Sequence, residues 1–72
     1  MIYEEARKTI IPGRYRHFKG KEYKVIAVAR HSETLEPFVV YKALYGNRDI
    51  WIRPADMWQE EVSNGVKRFV HI

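Results

Sequence analysis

Turn signals cut the chain after Ile11 into strand-length pieces, and that punctuation constrains the fold more than any other feature. "IPG" at Ile11 to Gly13, "KGK" at Lys19 to Lys21, "GNRD" at Gly46 to Asp49 and "SNGV" at Ser63 to Val66 each redirect the backbone. Glycine reaches angles that other residues avoid, and proline has no N–H to continue a ladder. The intervening segments are rich in β-branched and aromatic residues. In "GRYRHFKG", alternation sets Tyr15 and His17 on one face and Arg14, Arg16 and Phe18 on the other. "EYKVIAVAR" predicts a second strand, apolar on both faces over its middle. "PFVVYKALYG" predicts a third, with Phe38, Val40, Lys42 and Leu44 opposite Val39, Tyr41, Ala43 and Tyr45. "IWIRP" predicts a fourth that ends at Pro54, and "PADMWQEE" one helical turn opened by that proline. The Asn-Gly pair of "SNGV" is a strong hairpin signal, after which "VKRFVHI" predicts one last strand.

Ahead of these strands, Met1 to Ile11 predicts a short helix with Tyr3, Arg7 and Ile10 on one side, stopped by Pro12. The expected architecture is a single domain over residues 1–72. A helical or irregular segment over 1–12 precedes a mainly β, five-stranded, partly open SH3-like barrel over 13–72. An OB-like barrel is the second choice. With 72 residues the chain buries only about 60% of its unfolded surface, so a deep enzyme cavity would compete with its core. It has no cysteine, which removes disulfides, thiolate metal sites and cysteine nucleophiles and fits a reducing compartment. The longest apolar run, "VIAVA", is far short of the ~20 residues that cross a bilayer, and the first residues lack a signal-peptide plan. The expectation is a soluble, cytoplasmic protein without a membrane partner.

Thirteen Lys and Arg against nine Asp and Glu give a net charge of +4, which favours an anionic partner. Arg14, Arg16, Lys19, Lys21 and Lys24 cluster on the first two strands. They read first as charge protection of an exposed edge, and second as a phosphate-tracking surface.

The polar run "ARHSETLEP" invites a catalytic reading, but His31 and Ser32 are neighbours on an extended chain and point to opposite faces. The G-x-S-x-G elbow of a serine hydrolase is absent. One reading is a self-bonded turn, since Ser32 and Thr34 can accept backbone N–H groups and Pro37 presets the next strand. The other is a ligand role for His31, Ser32, Glu33, Thr34 and Glu36, a dense set of donors and acceptors. His17, His31 and His71 show no metal-ligand spacing, and "GKEYK" lacks the second glycine and the Lys-Ser/Thr ending of a phosphate loop. No cofactor or metal is expected.

Aromatic residues interleaved with basic ones form the more informative pattern. Tyr15 with His17, Tyr41 with Tyr45, and Trp51 with Arg53 each share a strand face, which would suit base stacking or peptide binding if the faces converge. Trp51 and Tyr23 are expected in the core; Tyr15, Tyr41 and Tyr45 are divided evenly between core and ligand. Arg53, alternating with apolar residues before a proline, is expected in an ion pair with Glu33 or Glu36 and, failing that, at an anion site.

The blocks "GRYRHFKG", "ARHSETLE", "VVYKALY", "WIRPADMW" and "RF", in that order over Gly13 to Phe69, resemble the bacterial domain-of-unknown-function family 1653. Trp58, where members of that family more often carry Phe, is a mild departure. The resemblance implies an SH3-like barrel and brings no established activity, substrate or catalytic residue. The sequence therefore leads to a small, non-enzymatic binding module for nucleic acid, a nucleotide or another anion. Its ligand residues are expected to be Tyr15, His17, His31, Ser32, Glu33, Thr34, Glu36, Tyr41, Tyr45 and Arg53. A protein-interaction domain docking on a partner enzyme is the second reading, and a small hydrolase pairing His17 or His31 with Glu33 or Glu36 the third.

Overall fold

The computed structural model describes all residues from 1 to 72. A helix, α1 (Tyr3–Thr9), leads into β1 (Gly13–His17), β2 (Glu22–Arg30), β3 (Pro37–Ala43) and β4 (Ile50–Pro54). The short helix α2 (Ala55–Trp58), a hairpin of β5 (Glu61–Ser63) and β6 (Val66–Lys67), and β7 (Phe69–His71) complete the chain. Five strands form one antiparallel sheet in the order β4-β3-β2-β1-β7, and β5 and β6 pair only with each other. The sheet does not close, which makes it the partly open arrangement the strand pattern predicts. No helix is long and apolar enough to cross a membrane.

Three local expectations change. The buried side of α1 carries Ala6 and Ile10, whereas Arg7 is exposed. "VKRFVHI" is not one strand: the chain leaves the hairpin at Arg68 and re-enters the main sheet at β7, beside β1. The basic residues of β1 and β2 do not guard an edge, because each of these strands has a neighbour on both sides. Instead Glu22 accepts from Arg14 at 2.6 Å and meets Arg16 at 3.5 Å, pairing two of those charges on the outer face.

A bulge at Ile26 explains why β2 looks apolar on both faces. Val25 pairs with Tyr41, but Ala27 pairs with Val40, so one extra residue sits on β2. Side-chain parity flips there. Val25 before the bulge and Val28 after it both meet the core, and Ile26 is left exposed.

The core is an aromatic stack. The α2 turn places Ala55 and Trp58 three residues apart on its inner side, and both are buried. Trp58 is 1% exposed and lies flat on Phe69, with ring centres 3.7 Å apart. Tyr15 meets it edge-on at 5.5 Å, and Tyr41 leans on it at 4.9 Å. Trp51, expected in the core, is 54% exposed. It stands on an edge strand with no neighbour beyond it, while the proline-opened turn carries Trp58 to the centre.

Gly13 controls the junction of β1 with β7. Its φ of 136° is closed to ordinary L-residues, and an added Cβ would stand 3.1 Å from the His71 ring nitrogen Nε2. Gly13→Ala is expected to cost at least ~1 kcal/mol, read as a lower urea midpoint with an unchanged slope.

Candidate functional site

The inner face of the sheet gathers a ring of aromatic and cationic side chains next to the core. Tyr23 on β2 packs edge-on against Tyr41, Tyr45 and Phe69 at 5.5–5.8 Å. Its hydroxyl shares a 2.6 Å hydrogen bond with that of Tyr45. Partial burial and then this bond push the Tyr23 phenol up to about 12, so its hydroxyl is protonated at neutral pH. Lys21 sits 4.2 Å over the Tyr45 ring. His17 on β1 packs against Phe69 at 5.0 Å and lies 6.4 Å from Tyr23. Arg53 reaches from β4 to within 5.9 Å of the Phe69 ring on β7, so the two edge strands of the sheet come together across this face.

The charge balance here is one-sided. Burial, followed by the nearby charges of Arg68, Lys19 and Arg53, holds His17 below its ordinary value of 6.5. Its Nδ1 accepts the Lys19 backbone N–H at 3.2 Å. Arg68 is bound by Glu60 at 3.1 Å, but Arg53 has no carboxylate partner and its buried Nε has no acceptor. The expected ion pair of Arg53 with Glu33 or Glu36 does not form. Arg53 turns inward opposite Val39, whereas both glutamates belong to the exposed loop between β2 and β3.

That loop closes on itself. The His31 N–H donates to the Glu36 carbonyl at 2.8 Å, and the Leu35 N–H to the His31 carbonyl at 2.9 Å. Nδ1 of His31 accepts from the Glu33 and Thr34 N–H groups, and Thr34 Oγ1 accepts from the Glu36 N–H. The turn forces Leu35 to a φ of 64°, a left-handed conformation that costs a leucine roughly 1 kcal/mol. Ser32 is exposed with the rest. The loop begins eight residues along the chain from Tyr23, roughly 26 Å at the rise of a strand.

Of the residues singled out in the sequence, His17, Tyr41, Tyr45 and Arg53 therefore come together. His31, Ser32, Glu33, Thr34 and Glu36 form a separate surface. Tyr15 is a core residue whose hydroxyl donates to the Ile11 carbonyl at 2.9 Å. Lys21, Tyr23 and Phe69 join the site without having been singled out for it. The i, i+2 spacing of Lys21 and Tyr23 puts them on one face, but only the β2–β3 register brings that face against Tyr45. Neither His17 nor His31 is in ion-pair contact with a carboxylate, and no three His, Asp or Glu side chains are grouped to hold a metal. The arrangement can stack a planar group and neutralise an anion.

Comparison with known proteins agrees with the fold and adds no activity. The profile of DUF1653, a protein family of unknown function, matches residues 13–71. No curated protein matches the sequence. The crystal structure of a DUF1653 protein from Bordetella bronchiseptica superposes with a TM-score of 0.79 at 35% identity, covering 92% of this chain and 91% of that one. With its profile match spanning the whole sheet and its helical turn, the chain belongs to the DUF1653 family.

Proposed function

We propose that the protein is a small binding module for an anionic ligand with a planar group, a nucleotide or a nucleic-acid segment, held on the inner face by His17, Lys21, Tyr23, Tyr45 and Arg53. The observation that carries this reading is Arg53, an inward-turned guanidinium with no carboxylate partner. An unpaired charge held partly out of water is costly, and an incoming phosphate or carboxylate would satisfy it with paired hydrogen bonds. Tyr45, 39% exposed beside Tyr23, offers ring surface for a base, and Lys21 over its ring adds positive charge.

The reading is tested by titrating isotope-labelled protein with mononucleotides, short RNA and inorganic phosphate at low salt. Resonance shifts are expected at His17, Tyr23, Tyr45 and Arg53, with affinity falling as salt rises. Absence of shifts there, or shifts confined to the outer-face Arg14, Arg16 and Lys24, would overturn it.

His17 supplies a pH signature. Burial comes first in holding His17 low and the nearby cations follow; an anion offsets the cationic part, so binding is expected to take up protons and to tighten as pH falls toward the lowered folded value. The free protein behaves in the opposite sense. Its unfolded chain protonates His17 near 6.5 before the folded state does, so stability present above that pH is lost as pH falls toward the lowered folded value. Thermal midpoints at pH 5.5 and 7.5, with and without ligand, read both trends.

A further inference from the structure

We propose that β4 is a self-association edge, along which two copies pair antiparallel about a twofold axis at Trp51 and set Ile50 of each chain opposite Ile52 of the other.

An open sheet has two edges, here β4 and β7. Exposed edges are ordinarily blunted by lysines, bulges or inward charges. β4 has none of these before Arg53 and Pro54: Ile50, Trp51 and Ile52 follow one another and are 62%, 54% and 64% exposed. Its free backbone groups can be assigned. The Ala43 N–H donates to the Asp49 carbonyl at 3.0 Å, so in this antiparallel ladder Asp49, Trp51 and Arg53 turn their N–H and C=O toward β3. Ile50 and Ile52 turn theirs toward solvent.

These groups select a second copy and a single register. Centred on Trp51, Ile50 of one chain meets Ile52 of the other, and every outward N–H and C=O of both residues is paired. Centred on Ile52, Ile50 would meet Pro54, which has no N–H to give. Centred on Ile50, Ile52 would meet Arg48, whose φ of 56° is not extended. The register at Trp51 also sets Asp49 opposite Arg53 of the second copy and opposes no like charges, while the Arg53 guanidinium remains turned over Phe69 of its own chain and open to a ligand. On the outer face, the isoleucine pairs extend the row in which Ile52 already neighbours Val40 and Val40 neighbours Ala27. On the inner face the two Trp51 rings come side by side.

Sedimentation velocity and site-directed cross-linking test the proposal on the chain without ligand. The wild type is expected to approach twice its 8.6 kDa as concentration rises. Ile52→Lys, at an exposed position, is expected to return it to monomer with an unchanged circular dichroism spectrum. Because the chain has no cysteine, single substitutions report distance cleanly. Trp51→Cys occupies a non-hydrogen-bonded pair on the axis, with Cα atoms ~4.5 Å apart, and is expected to oxidise to a covalent dimer. Ile50→Cys lies more than ~7 Å from its own symmetry mate and is expected to cross-link no faster than Leu35→Cys on the distant loop. A wild type that stays at 8.6 kDa at every concentration, or Trp51→Cys cross-linking only at the Leu35→Cys rate, would overturn the proposal.

Discussion

Trp58→Ala is expected to remove about half or more of the stability of this domain. Trp58 is 1% exposed, stacks flat on Phe69 at 3.7 Å, and touches Tyr15 and Tyr41, so no neighbour can fill the space without leaving another void. Such a truncation costs about 3–5 kcal/mol. A domain of 72 residues, at roughly 0.05–0.15 kcal/mol each, has only about 4–11 kcal/mol in total. Thermal unfolding followed by circular dichroism should show a midpoint lower by on the order of 20 °C. Trp58→Phe separates packing from polarity. The indole Nε1–H is buried without a partner, so phenylalanine keeps a ring on Phe69 and deletes an unsatisfied donor. Its expected cost is below about 2 kcal/mol, and a loss equal to that of alanine would show that the stack does not hold the core.

Arg53→Met is expected to weaken binding of the anionic ligand by about 10–100-fold, the loss of a charge-assisted hydrogen bond, while leaving the fold as stable as before or more so. The two readouts together distinguish a ligand residue from a structural one. An arginine that holds the fold through an ion pair would leave a carboxylate stranded when removed and lower the unfolding midpoint. Arg53 has no such carboxylate, and methionine replaces its length across Phe69 without an unsatisfied Nε. Arg53→Lys keeps the charge but loses the planar fork and is expected to bind at an intermediate strength. Isothermal titration alongside urea unfolding measures both quantities. Unchanged binding with a lowered midpoint would assign Arg53 to structure.

The strand faces of β1 and β3 were legible because a period of two is a local property. Tyr15 and His17 turn inward together, and Val39, Tyr41 and Ala43 are all buried on one side. The candidate site was legible only in part. His17, Tyr41, Tyr45 and Arg53 stood out by residue type and spacing, but their meeting depends on register and curvature. The β2 bulge at Ile26 shifts pairing by one residue, which no alternation within "EYKVIAVAR" reveals. The "HSET" loop drew attention through composition, and its N–H groups are largely consumed in closing its own turn.

By itself the sequence determined the strand faces of β1 and β3, the turn positions, the helical turn after Pro54 and the absence of any disulfide, because each follows from residues a few places apart. Only the tertiary structure decided which tryptophan is buried, which strand is left as an edge, and whether Arg53 has a partner. Those outcomes depend on how the chain crosses from β4 through α2 to β7. That crossing sets Trp58 beneath the sheet, leaves Trp51 at its rim and carries Arg53 over Phe69, away from the glutamates of the loop.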